Sequence, residues 1–119
     1  MCGIAGFSEV NSNYSNILNE MIKTIIHRGP DDKGVWFDDS VGIGLAHARL
    51  SILDLSEAGH QPMQSSTGRY MIVFNGEIYN HKEILIELKK NSSIQMRGHS
   101  DTEVLLAAIE MWGLEKTLN

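Results

Sequence analysis

The sequence predicts an α+β fold. Short apolar runs closed by turn residues mark strands, and longer stretches with apolar residues three and four apart mark helices. Their order is strand, helix, several strands, helix, strand, helix. That order mixes antiparallel hairpins with helices and does not alternate as a parallel βαβ array would. The chain of 119 residues is 42% hydrophobic and 21% charged. Such a profile suits one globular domain that buries roughly two-thirds of its unfolded surface.

Each element has its own justification. Gly3 to Phe7 is short and apolar, an opening strand. The polar stretch 11–16 is a turn. Ile17, Leu18, Met21, Ile22, Ile25 and Ile26 recur at helical spacing, with Asn13 or Ser15 as N-cap, and the helix stops near His27 before Arg28-Gly29-Pro30-Asp31-Asp32. Gly34 to Phe37 and Gly42 to Arg49 form a hairpin around Asp38-Asp39-Ser40, with Val35, Trp36 and Phe37 pairing against Ile43 and Leu45. Leu50 to Leu55 is apolar but irregular, and Ser56 to Gly68 is a long polar loop. Tyr70 to Phe74 reads as a strand buried on both faces, ended by Asn75-Gly76. Asn80 with Glu83 caps a helix whose inner face is Ile84, Leu85 and Leu88, and Lys82 to Lys90 supply its solvated face. Ile94 to Met96 is a further short strand. Ser100 and Glu103 form a second capping box before Val104, Leu105, Ala108, Ile109 and Trp112, and Gly113 ends that helix. The last residues, 113–119, read as the entrance to another element, so the chain is expected to be a piece of a longer protein.

Composition narrows the function classes. Ten Lys and Arg face 15 Asp and Glu, a formal net charge of -5. No basic surplus exists to neutralise phosphates, so no nucleic-acid partner is expected. The longest clean apolar run, Val104 to Ile109, falls far below the roughly 18 residues of a membrane span. The N-terminus lacks a signal-peptide pattern, and the lone Cys2 cannot form an internal disulfide. A cytoplasmic, membrane-free protein is the expectation. His27, His47, His60, His81 and His99 show no zinc-hydrolase spacing, so no metal site is expected. Neither a dinucleotide fingerprint nor a phosphate-binding loop occurs, so no cofactor is expected on this segment.

Three features can carry chemistry. Cys2 follows Met1 directly. Removal of Met1 would give one residue a thiol and a free α-amine, with reference pKa values of roughly 8.5 and 7.7–8.0. Nucleophile and base would then reside on one residue. A small buried cysteine opening a strand is the plainer reading of Cys2 alone. Asn75-Gly76 at a strand end offers a side-chain amide and a backbone N–H to one oxygen, as an oxyanion hole needs. A hairpin turn explains the same pair. Arg49 suits a substrate carboxylate and Asp101 a substrate ammonium, so together they would read both ends of an α-amino acid. A surface ion pair for Arg49 and a helix-dipole partner for Asp101 fit the sequence equally.

Read together, six motifs in order carry a resemblance: Met1-Cys2-Gly3-Ile4-Ala5-Gly6, His27-Arg28-Gly29-Pro30-Asp31, Ala48-Arg49-Leu50-Ser51-Ile52, Gly59-His60-Gln61-Pro62-Met63, Asn75-Gly76-Glu77-Ile78-Tyr79-Asn80 and Ser100-Asp101-Thr102-Glu103. The chain resembles the class II glutamine amidotransferase domain of glutamine-hydrolysing asparagine synthetases, from Met1 to about Trp112. The resemblance implies an N-terminal-nucleophile hydrolase αββα sandwich, incomplete in this chain, with residues 1–119 the N-terminal part of the domain. It implies Cys2 as nucleophile and Asn75 and Gly76 as the oxyanion hole. Arg49 would hold the glutamine carboxylate, and Glu77 and Asp101 would help bind the amino end and side chain. Leu50 and Ile52 would lend backbone groups, and Arg28 would lie in a loop covering the glutamine. Glutamine is the implied partner here. Aspartate, ATP and Mg2+ belong to a synthetase domain outside these residues, and a homodimer is compatible with the family. Amidotransferases of surface-polysaccharide or secondary-metabolite pathways, or a catalytically silent binding domain, are the alternatives.

Overall fold

The computed structural model describes residues 1–9, 13–51, 56–91 and 94–119. It is a mixed α/β structure with antiparallel sheets, which bears out the α+β class. The chain divides into two compact units. The first comprises residues 1–52, 60–62 and 73–75, and the second comprises residues 53–59, 63–72 and 76–119. No helix among the described residues is long and apolar enough to cross a membrane.

The first unit is a three-stranded sheet with one helix on it. Strands β1 (Gly3–Ser8), β2 (Asp32–Asp38) and β3 (Ile43–Arg49) lie in the order β1-β3-β2. The hairpin pairs Trp36 with Leu45 and Phe37 with Gly44, and β1 pairs Gly3 with Ala48 and Phe7 with Gly44. Its turn is tied by Asp38, whose Oδ1 accepts from Ser40 N at 2.9 Å and Ser40 Oγ at 2.6 Å. Gly42 closes that turn at φ 67°, a backbone region that glycine enters without a Cβ clash.

Helix α1 (Tyr14–Ile25) buries Leu18 and Ile22 against Ala46 and Ala48, with Ala5, Phe7 and Ile25 around them. The alanines on β3 are small enough for the helix to approach closely, so burial of two branched side chains holds helix to sheet. Tyr14 is also buried, with its ring stacked between Phe7 and Phe37 at centroid distances of 5.6 Å on each side. Asn13 occupies the cap position, but its Oδ1 accepts from Asn16 Nδ2 and caps no helix amide through its side chain. The α-helix ends at Ile25, and a 3-10 turn carries Ile26 to Arg28. The tighter turn rotates Ile26 off the apolar stripe and leaves it exposed.

The second unit holds strands β4 (Met63–Gln64) and β5 (Met71–Ile72) and helices α2 (His81–Asn91), α3 (Asp101–Trp112) and α4 (Leu114–Leu118). Leu88, Val104 and Ala108 form its core, with Ile84, Leu85, Ile94, Met96, Ala107 and Trp112 packed around them. Ser100 Oγ accepts from Glu103 N at 3.2 Å, which is the Ser100 half of the expected capping box. The Glu103 carboxylate is taken by the amides of Arg97 at 2.7 Å and Gly98 at 2.9 Å. Gly113 ends α3 at φ 84°, and α4 follows it, the further element expected there.

Two strand expectations are corrected. Tyr70 to Phe74 is half-buried, not buried on both faces, and only Met71 and Ile72 pair as strand. The Phe74 amide and carbonyl go to side chains instead of a ladder, while Tyr70 N donates to Ser65 Oγ. The 94–96 segment is no strand. Ile94 and Met96 serve as packing residues on the α2–α3 core. The turn at residues 11 and 12 and the irregular stretch 52–55 lie outside the described residues.

Candidate active site

Cys2 precedes β1, one residue beyond the Gly3–Ala48 pair. That register brings its side chain beside Leu50. The Leu50 amide donates to Cys2 Sγ at 3.3 Å, and Sγ lies 3.7 Å from Leu50 O. Arg28 Nε donates to Cys2 O at 3.1 Å. The residue is therefore fixed at both its side chain and its carbonyl. It is a free thiol, half-buried, while Met1 before it is exposed.

The loop carrying Arg28 is laid on the end of β3. Asp31 N donates to Arg49 O at 3.0 Å, and Asp31 Oδ2 accepts from Ser51 N at 2.8 Å. Gly29 is buried there, and a Cβ on it would meet Ala48 O at 2.3 Å and Arg49 C at 2.5 Å. Glycine is thus required for the approach that brings Arg28 to Cys2. Arg49 is the last β3 residue and is buried. Its strand partner is Asp32, whose Oδ2 lies 2.7 Å from His60 Nδ1.

Asn75 also belongs to the first unit and is exposed. The residue before it is gripped on both backbone groups. Phe74 N donates to Gln61 Oε1 at 2.6 Å, and His47 Nε2 lies 3.2 Å from Phe74 O. His47 is completely buried, and its Nδ1 has no hydrogen-bond partner among the described residues. Burial pushes the His47 imidazole below its ordinary pKa, and the Arg49 charge acts the same way. The Phe74 carbonyl opposes them. In the sequence this grip shows only as a lone histidine between two alanines in a strand.

Gly76, Glu77 and Asp101 belong to the second unit. Gly76 and Glu77 are exposed. Asp101 is buried at the start of α3, where Oδ2 accepts from Ile78 N and Oδ1 from Thr102 N, each at 2.8 Å. The helix-terminus role read from the sequence is thus present, and the same carboxylate also anchors the segment after Gly76. Ile52 lies outside the described residues. Among the described residues, no group of three or more His, Cys, Asp and Glu is placed to hold a metal ion.

A family model described as a glutamine amidotransferase domain matches residues 1–119. The chain belongs to that family. Among its relatives, a putative glutamine-hydrolysing asparagine synthetase of Methanocaldococcus jannaschii is 38% identical over 132 residues, covering 97% of this chain and 25% of that protein. Asparagine synthetase 1 of Bacillus subtilis is 40% identical over 112 residues, covering 90% of this chain and 17% of that protein. Amidase chry2 of Gibberella zeae is 35% identical over 126 residues, covering 96% of this chain and 18% of that protein. The chain therefore spans a quarter or less of the length of these curated relatives. The glutamine amidotransferase assignment rests on the whole chain.

Proposed function

We propose that this chain is glutaminase machinery of an asparagine-synthetase-type amidotransferase, built as part of an N-terminal-nucleophile αββα sandwich. The observation that carries the reading is the tethering of Cys2, with its sulfur on the Leu50 amide and its carbonyl on Arg28. A cysteine whose only task was to fill space would need neither bond.

In this reading Met1 is removed and the new α-amine of Cys2 accepts the thiol proton. The sulfur attacks the side-chain carbonyl carbon of glutamine. Asn75 and Gly76 hold the resulting oxyanion. The carbon–nitrogen bond breaks, the amine returns its proton to the leaving group, and ammonia departs. A γ-glutamyl thioester remains on Cys2. Water then cleaves it, releasing glutamate and restoring the thiol. Arg49 takes the substrate carboxylate, Asp101 and Glu77 the ammonium and side chain, and Leu50 and Ile52 lend backbone groups. ATP, Mg2+ and aspartate serve the synthetase chemistry of the longer protein, and no step on these residues runs through them. A homodimer is compatible with this arrangement.

Glutamate release from glutamine by the intact protein tests the proposal. Cys2→Ala lowers it by at least about a thousandfold. Unchanged release in that variant refutes the assignment. Mass analysis of the active protein shows Cys2 as the first residue, and a retained Met1 refutes the amine's role. The similarity to Amidase chry2 supports a second reading of the acceptor, in which ammonia goes to a substrate other than aspartate. Asparagine formed from aspartate and ATP by the intact protein separates the two.

A further inference from the structure

We infer that Gln61 and His47 are positioning residues which fix the oxyanion-binding Asn75 by gripping both backbone groups of Phe74. The inference rests on the proposed role of Asn75. It adds two residues to that machinery, neither of which contacts substrate.

Phe74 lies just past the two paired residues of β5, Met71 and Ile72. A strand end without ladder partners leaves its amide and carbonyl free to shift by an ångström, and a shift of that size in an oxyanion donor is costly to the reaction. Here both groups are taken by side chains. The Gln61 carboxamide oxygen accepts from Phe74 N at 2.6 Å, and the His47 imidazole sits 3.2 Å from Phe74 O. Neither side chain has room to wander. Gln61 is 6% exposed and His47 is 0% exposed. Each is also mounted on rigid backbone. His47 lies in the centre of β3, paired with both Gly34 and Ile4. Gly34 is buried, and a Cβ on it would strike Gln61 O at 2.2 Å, so the Gln61 backbone is pressed directly on β2. The sheet that anchors Cys2 therefore also sets the peptide from which Asn75 projects.

The chemistry of the imidazole agrees. A carbonyl partner requires Nε2 to carry the proton, which leaves Nδ1 bare. Full burial keeps the ring neutral, as its lowered pKa indicates. A neutral ring in this tautomer is a donor at one end only, and that end faces Phe74.

The test is steady-state glutamine hydrolysis by the intact protein. Gln61→Met keeps the shape and removes the acceptor. It should lower kcat about ten- to hundredfold with KM for glutamine changed less than threefold. Gln61→Glu keeps an acceptor oxygen and should recover most of the lost kcat. His47→Gln, which can still donate, should exceed His47→Phe by roughly tenfold in kcat. In an Asn75→Ala background, Gln61→Met should add almost nothing, because the group it positions is gone. Full additivity in that background, or an unchanged kcat in Gln61→Met, overturns the inference. An Asn75→Ala variant that retains wild-type kcat overturns the proposed oxyanion role itself, which is a separate result. If Gln61→Met does not fold, the Gln61→Glu and His47→Gln rates decide, and a kcat no better than that of His47→Phe refutes the grip.

Discussion

The loop from Arg28 to Asp31 in the first unit and the turn from Ser65 to Tyr70 in the second are both irregular, yet they are tied to the elements they rest on by different means. The loop is fixed mostly through main-chain atoms, with the Asp31 side chain as the exception. Asp31 N bonds Arg49 O, Gly29 is pressed on Ala48, and Ser51 N returns to the Asp31 carboxylate. The turn closes on itself through Ser65 N to Tyr70 O at 2.9 Å and Gly68 N to Ser65 O at 3.0 Å, but it is tied to α3 by one side chain. Glu110 on α3 accepts from Ser65 Oγ at 2.7 Å, Ser66 Oγ at 2.6 Å and Thr67 N at 3.0 Å, and also from Thr67 Oγ1. Main-chain fixing depends on shape and is indifferent to most side-chain changes. Fixing through one carboxylate depends on that group and its charge. The loop beside the nucleophile is thus built to tolerate most surface substitutions, while the tie of the turn to α3 is lost with the Glu110 charge.

The largest expected effect breaks the support beneath the loop. Leu18 has no exposure and joins α1 to β3. Leu18→Ala should cost about 3 kcal/mol or more through lost burial and the cavity left behind. Amide exchange in β3 should then quicken by roughly a hundredfold. Unchanged exchange would show that α1 does not hold the strand carrying Arg49. Next comes Gly29→Ala. The added Cβ meets backbone carbonyl and carbon atoms that have no rotamer in which to yield. The loop must lift, at a cost of about 2 kcal/mol. Since Arg28 then leaves Cys2, glutamine hydrolysis should fall about tenfold or more. A Gly29→Ala protein with wild-type turnover would show that the Arg28–Cys2 bond is dispensable.

How far these regions were legible in the sequence follows the same division. Elements specified by local pattern were readable: the α1 stripe, the hairpin around Asp38, the Ser100 cap and the Gly113 stop. Cys2, Arg49 and Asn75 stand out by what their side chains can do chemically, and Leu50 and Arg28 enter through the motif resemblance. What could not be read depends on atoms far apart in the chain. The Phe74 grip joins residues separated by 13 and 27 positions, and no periodicity encodes it. Tyr70 to Phe74 misled because an apolar run reports burial but not which partners satisfy its backbone. Met96 misled for a related reason, since an apolar residue packs on a helix pair as well as in a sheet. Tyr14 was missed because its value lies in stacking between Phe7 and Phe37, which helical spacing does not show.

The smallest effect is the most discriminating, because it separates the two units by acidity. In the first unit His47 has its folded pKa pushed below the ordinary 6.5 by burial and by Arg49 and His60, with the Phe74 carbonyl and Asp32 opposing. The unfolded chain then binds the extra proton, so this contribution is complete above about pH 6.5 and declines as pH falls below it. In the second unit, burial raises the Glu110 pKa, but hydrogen bonds from Ser66, Thr67 and Ser65 outweigh it and hold the carboxyl at about 2, against an ordinary 4.5. That contribution is present above pH 4.5 and is lost as pH falls toward 2. Exchange measured across pH should therefore show β3 loosening from about 6.5 downward and the Ser65–Tyr70 turn only below about 4.5. Glu110→Gln should cost about 1 kcal/mol at neutral pH and remove the lower step while leaving the upper one. His47→Gln should do the reverse. A single step shared by both segments, or a lower step that survives in Glu110→Gln, would mean that the turn is not tied through this carboxylate, and the contrast between the two segments would fail.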